Sequence, residues 1–237
     1  MSFYWLADCS GSMARDGKIQ ALNTAAREAL PHMREVAAGN PYARPFVRVM
    51  RFATGAEWQS AEAVPLAELV WTDLVAGGVT DMGAALSLLA EDLSGPAMPD
   101  RGLAPVIVLV SDGQPTDDFN AGLAALNESA WGSKAVRLAI AIGRDADRDV
   151  LAAFVGDPSV PLLVANAPEA LVRQIRWAST IGLASSSSPP SGPVSSAMHL
   201  PASSPSSALR LPPSGPVSSA MHPPVVGGEE DPELEVW

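Results

Sequence analysis

The sequence has one cysteine, Cys9, so neither an internal disulfide nor a cysteine-rich zinc site can be built from it. Cations are also scarce: 15 Lys and Arg face 26 Asp and Glu, a formal net charge of −11. Nucleic acid and anionic membranes both demand a positive surface, and neither is an expected partner. The longest apolar runs, APVIVLV (Ala104–Val110) and LAIAI (Leu138–Ile142), are far too short to span a bilayer. No Gly-rich loop ends in Gly-Lys-Ser/Thr, which removes the common phosphate-cradling route to nucleotide binding. No basic segment followed by a long apolar stretch opens the chain, so no secretory signal is expected. A lone thiol is compatible with a reducing compartment. These absences lead to the expectation of a soluble, cytoplasmic protein.

Two regions of different character are present. Residues 1–180 hold 14 of the Lys/Arg and 21 of the Asp/Glu, and residues 181–237 add one Arg and five acids. The second region contains 14 Ser and 11 Pro, and PPSGPVSSAMH occurs in it twice, at Pro189–His199 and Pro212–His222. Frequent prolines remove backbone donors, and no apolar periodicity offsets the entropy of ordering. The expectation is a folded domain over 1–180 and a disordered Ser/Pro-rich tail over 181–237, ending in the acidic GGEEDPELEVW.

The first 180 residues alternate strands and helices. FYWLA (Phe3–Ala7) is a short uninterrupted apolar run suited to a buried parallel strand. Asp16–Ala38 carries Ile19, Leu22, Ala26, Leu30 and Met33 at helical spacing, with Pro31 predicting a kink or break. PFVRVMRF forms the next strand and ATGAEW a hairpin-like turn to an edge strand near Trp58, while Val70–Leu74 is ambiguous. A helix is expected over Asp81–Leu93, a central strand at APVIVLVSDG and a helix over Thr116–Ser129. Strands at KAVRLAIAIG and VPLLVA, with helices at Asp147–Phe154 and Pro168–Ala178, complete the pattern. Strands separated by helices imply βα crossovers and a mostly parallel sheet, whose ligand site lies beyond the C-terminal strand ends.

Three polar groups fall at that rim. LADCSGS begins where the first strand ends, LVSDG puts Asp112 where the central strand ends, and GGVTD puts Thr80 where the middle helix enters. Asp8, Ser10, Ser12, Thr80 and Asp112 are all short oxygen-bearing side chains. An all-oxygen set suits a hard divalent cation, Mg²⁺ or Mn²⁺. Two carboxylates and neutral hydroxyls leave such an ion with positions for water or for a carboxylate supplied from outside. That is a binding mechanism in which no bond is made or broken. Blander roles compete: Ser12 and Thr80 as helix caps, and Asp112 as a turn residue beside Gly113. Cys9 reads as a small buried hydrophobe, since no His accompanies it as a base.

DCSGS (Asp8–Ser12), GGVTDMG (Gly77–Gly83) and LVSDGQPTD (Leu109–Asp117) resemble the three pieces of the metal-ion-dependent adhesion site of a von Willebrand factor A domain. The resemblance covers residues 1–180. It implies an α/β fold, a doubly wound, Rossmann-like, mostly parallel sheet with one antiparallel edge strand and helices on both faces. It maps Asp8, Ser10 and Ser12 onto the Asp-x-Ser-x-Ser element, Thr80 onto the Thr loop and Asp112 onto the second Asp. It also implies a protein partner whose Glu or Asp completes the metal shell. Within the family, LVSDGQPTDDF resembles most the bacterial tellurium-resistance TerY-like branch, often encoded beside a protein kinase and a PP2C-type phosphatase. A stress or phospho-signalling role follows from that likeness. The Ser/Pro tail stands where members of that branch can carry a Cys-rich region.

The resulting expectation is a non-enzymatic, metal-dependent protein-binding adaptor. One alternative is a structural or self-assembling protein whose site captures its own acidic tail. A more remote one is an aspartate-dependent phosphatase of the haloacid dehalogenase type, with Asp8 as nucleophile. Such enzymes need a second carboxylate two residues on, where Ser10 stands, and a phosphate-steadying Lys, for which Lys134 lies at the wrong rim.

Overall fold

The first strand, β1 (Ser2–Asp8), buries every residue after Ser2, as a strand covered on both faces must. It occupies the middle of a mixed sheet in the computed structural model, which describes residues 1–39, 44–96, 98–99 and 101–185. The remaining strands are β2 (Phe46–Ala53), β3 (Gly55–Trp58), β4 (Val64–Pro65), β5 (Val106–Ser111), β6 (Val136–Ile142) and β7 (Leu163–Ala165). Five α-helices are described: α1 (Lys18–Ala38), α2 (Met82–Ser94), α3 (Phe119–Glu128), α4 (Arg148–Val155) and α5 (Pro168–Ser185). The strand order is β3-β2-β1-β5-β6-β7, with β4 pairing on β2. All pairings from β2 to β7 along this path are parallel, and β3 lies antiparallel on β2 at the edge near Trp58. The expected α/β architecture is therefore present.

Side-chain alternation along β1 separates two cores. Phe3, Trp5, Ala7 and Cys9 pack with Leu22, Ala26 and Met33 of α1 and with Leu171 and Ile175 of α5. Tyr4 and Leu6 pack with Leu86 and Leu89 of α2, Leu126 of α3 and Phe154 of α4. Helices thus cover both faces. The chain leaves β1 toward β2 on one side, while β5 flanks β1 on the other. This reversal opens a crevice at the C-terminal ends of β1 and β5, the usual ligand position in a doubly wound sheet.

Three details add to the sequence expectation. Pro31 does not break the run, since α1 continues from Lys18 to Ala38 around it. Pro31 and Arg27, whose carbonyl loses its helical donor, are both exposed, so water can replace the missing bond. The two-residue β4 adds a second antiparallel pairing to β2, with Val47 opposite Val64. The ambiguous Val70–Leu74 stretch is an irregular loop anchored by Asn23: its Oδ1 accepts from Leu74 N (2.8 Å) and Trp71 Nε1 (3.0 Å), and its Nδ2 donates to Leu74 O (2.9 Å).

The closing helix α5 begins on Pro168, which suits a first helical position, and continues to Ser185. Residues 181–185, expected to open the disordered tail, are therefore the last turn of α5, and the rest of that expected tail, residues 186–237 with the duplicated motif and acidic end, lies outside the described residues. Among the described residues, no helix is long and apolar enough to cross a membrane.

Candidate metal centre

Asp8 ends β1 and is wholly buried. Its Oδ1 accepts from the Ser10 backbone N–H at 2.8 Å, and its Oδ2 accepts from Ser111 Oγ at 2.5 Å. Ser111 Oγ in turn accepts from Gly113 N at 2.8 Å, so the ends of β1 and β5 are stitched together at the carboxylate. The chain then turns so that Ser10 Oγ and Ser12 Oγ share a hydrogen bond of 2.9 Å. Gly11 sits at the bend, donates to Gly78 O (3.0 Å), and would place a Cβ only 3.1 Å from that same carbonyl. Gly77 N donates back to Cys9 O at 2.7 Å. The Asp8–Ser12 loop and the loop carrying Thr80 therefore lie side by side.

Thr80 is held from the third loop. Its N–H donates to Thr116 Oγ1 at 2.9 Å, and its carbonyl accepts from Thr116 N at 2.8 Å. Thr116 Oγ1 also donates to Asp81 Oδ1 at 3.3 Å, and Asp81 Oδ2 accepts from Gly55 N at 2.7 Å. Asp117 reaches across to the first turn of α2, accepting from Gly83 N (2.8 Å) and Ala84 N (2.7 Å). It satisfies orphan helix donors that the residue at the N-cap position, Asp81, leaves unbonded. The loop after β5 is thereby fastened to the one entering α2.

The cap and turn alternatives fail on this geometry. The N-cap positions are Ser10 for the 3₁₀ turn over Gly11–Gly17, Gly17 for α1 and Asp81 for α2, and none makes a side-chain cap bond. Neither Ser12 nor Thr80 occupies one. Asp112 is 1% exposed, and its buried Oδ1 has no hydrogen-bond partner, so its side chain braces no turn.

The electrostatics leave a deficit of positive charge. Desolvation by burial pushes the Asp8 carboxyl up to about 6; the Ser10 and Ser111 hydrogen bonds oppose the rise, and the neighbouring Asp112 charge adds to it. Two buried carboxylates near enough for one to raise the other are costly unless a cation offsets them. Asp8, Ser10, Thr80 and Asp112 are buried, whereas Ser12 is partly exposed and gives the cluster a solvent-facing side. Among the described residues, no three His, Cys, Asp or Glu side chains gather as a metal site. A metal centre at this rim would then draw on hydroxyls as well as carboxylates. The residues fit a hard dication.

Several functional-looking groups are absent from the sequence reading. Ser111 is a strand residue whose hydroxyl is visible as a partner of Asp8 only once β1 and β5 are paired. Thr116 and Asp117 look like the start of a helix, yet α3 begins at Phe119 and Asp118 is its cap, accepting from Ala121 N at 3.0 Å. Three polar residues ahead of a helix that needs one cap were the available signal. Lys134 lies in the short turn ahead of β6, away from the C-terminal rim as expected, but Lys18 lies at that rim. Its Nζ is 4.0 Å from Asp112 Oδ2 and 3.3 Å from Asp145 Oδ1. Cys9 is buried as expected, and desolvation pushes its thiol up to about 11, far from a reactive thiolate.

No protein-family model matches this sequence, and no curated protein matches it. Solved structures do. A von Willebrand factor type A protein from Catenulispora acidiphila superposes with TM-score 0.58 at 19% identity, over 77% of this chain and 42% of that one. The ArnB paralog VWA2 from Sulfolobus acidocaldarius gives TM-score 0.53 at 18% identity, over 74% of this chain and 44% of that one. The fold is that of a von Willebrand factor A domain. Proximal thread matrix protein 1 from the mussel byssus, in a structure with a zinc-occupied MIDAS motif, matches this chain with TM-score 0.54 at 14% identity. That match spans 77% of this chain and 45% of the other. The chain thus covers less than half the length of each of these three proteins.

Proposed function

We propose that this A domain is a metal-dependent protein-interaction module. Asp8, Ser10, Ser12, Thr80 and Asp112 would hold Mg²⁺, or Mn²⁺, and the ion would capture a Glu or Asp carboxylate of a partner. The buried, unpartnered Asp112 Oδ1 beside Asp8 carries this reading: it is an acceptor kept dry with nothing to accept from. The zinc-occupied motif of the mussel protein, which shares the fold, supports divalent-metal use. The surroundings favour a macromolecular partner. Three of the four large exposed hydrophobics among the described residues, Val70, Val75 and Val79, lie on the segment that leads to Thr80. Exposed apolar residues on the segment that enters a charged centre suit docking of a protein surface around one acidic side chain.

The phosphatase alternative regains a lysine in Lys18, but Ser10 stands where an acid–base carboxylate is required. Binding without catalysis fits the residues better. The TerY-like resemblance extends the proposal to a cytoplasmic bacterial stress or tellurium-resistance system, with a protein kinase and a PP2C-type phosphatase as partners. The test is partner capture and thermal melting in Mg²⁺ and in EDTA, with wild type and Asp112→Ala, alongside an acetyl-phosphate hydrolysis assay. Metal-dependent capture lost in Asp112→Ala, without phosphate release, is expected. Capture indifferent to chelation and to the substitution would overturn the reading.

A further inference from the structure

Lys18 occupies a position that helix formation alone disfavours. It heads α1, where the helix dipole repels cations, and its side chain is only 3% exposed. The backbone reaches it through two consecutive left-handed residues, Asp16 (φ 52°) and Gly17 (φ 71°). Asp16 is the one non-glycine residue with positive φ among those described, a conformation that costs free energy. Gly143 leaves the space for the ammonium, since a Cβ there would stand 2.9 Å from Nζ. Strain, an opposed dipole and burial are all accepted to hold a positive charge between the dry Asp112 and Asp145, whose side chain is 62% exposed.

We propose that Lys18 is a built-in counter-charge that loosens the site's grip on its dication and tightens its grip on the incoming carboxylate. The inference rests on the metal reading above. Asp8 and Asp112 together balance one dication, leaving a neutral centre. With Lys18 behind Asp112, the loaded centre keeps a net positive charge, which an external carboxylate then neutralises. Asp145 tunes the effect by sharing the ammonium from the solvent side. Even at the high effective dielectric that suits protein sites, a unit charge a few ångströms away alters ion binding by about tenfold or more.

The test uses the full chain at 0.15 M salt with Mn²⁺ as the metal probe, its free fraction read by electron paramagnetic resonance, and acetate as the carboxylate probe. Lys18→Met, which keeps the length and removes the charge, is expected to bind Mn²⁺ about tenfold or more tightly and acetate on the loaded protein several-fold more weakly. A folded Lys18→Met protein with unchanged or weaker Mn²⁺ binding overturns the proposal. Asp145→Asn alters only an exposed side chain and leaves Lys18 to Asp112 alone, so Mn²⁺ binding should weaken several-fold. Asp149→Asn, an exposed acid with no link to Lys18, should leave it unchanged. If Lys18→Met does not fold, Asp145→Asn decides: affinity equal to wild type overturns the proposal. Wild-type protein that fails to bind Mn²⁺ at all overturns the metal reading itself, a separate result from a wild type that binds and a Lys18→Met that does not tighten.

Discussion

Replacing Asp8 with Asn should stabilise the metal-free protein while destroying its response to metal. Burial pushes the Asp8 carboxyl up to about 6 from an ordinary 3.8. Below pH 3.8 the group is protonated in both the folded and the unfolded chain, and its charge costs nothing. As pH rises through about 6 the unfolded chain loses the proton first, so stability falls across that window and the full penalty stands above it. The gap between 3.8 and about 6 corresponds to about 3 kcal/mol. Asn removes the charge but must re-sort the Ser111 contact, because Ser111 Oγ now donates to Oδ2; one disturbed hydrogen bond costs about 1 kcal/mol. The net gain is about 2 kcal/mol, or roughly 4–8 °C in melting temperature for a domain of this size. Urea and thermal melts in EDTA at pH 7.5 and pH 4 measure it, and the advantage should shrink at the lower pH. Excess Mg²⁺ should raise the wild-type melt by ligand linkage and leave Asp8→Asn unmoved. An Asp8→Asn protein less stable than wild type in EDTA at pH 7.5 would refute the reasoning.

Wild-type stabilisation by Mg²⁺ should be small at pH 5, half-developed near pH 6 and complete by pH 7.5, because the ion competes with the proton on Asp8; melts across that range check the sign. Ser10→Ala should fold normally and bind Mn²⁺ at least several-fold more weakly, as read by titration calorimetry. Thr116→Val keeps the shape but strips Thr80 N–H and Asp81 Oδ1 of a partner, so stability should drop by about 1–3 kcal/mol, with weaker metal binding alongside. Gly122→Ala would drive a Cβ into the Gly83 backbone where α3 crosses α2, at a cost of about 1–3 kcal/mol or more in chemical denaturation.

The placement of the candidate site residues was largely legible because strand ends are easy to read. Asp8 and Asp112 each follow an uninterrupted apolar run, and parallel strands deliver such residues to one rim. Thr80 joined them because its helix starts where those strands stop. Residues that act through other residues were harder to see. Lys18 opens an amphipathic helix, where a lysine ordinarily reads as a solvated charge; only the left-handed Asp16-Gly17 turn aims it inward. That dipeptide was a visible turn signal whose consequence depends on Gly143, just past the end of β6. Thr116 and Asp117 serve a neighbouring loop and helix, a role that no local pattern encodes. Pro31 ends no helix because Arg27, whose carbonyl loses its donor, is exposed to water, and the Val70–Leu74 loop owes its shape to Asn23, distant in sequence.

The most direct measurement is an anomalous-difference map of Mn²⁺-soaked crystals grown with an acidic peptide. The expected result is one peak bounded by Asp8, Ser10, Ser12, Thr80 and Asp112, with the peptide carboxylate on its open side. No peak there, or an ion enclosed wholly by its own chain, would contradict it.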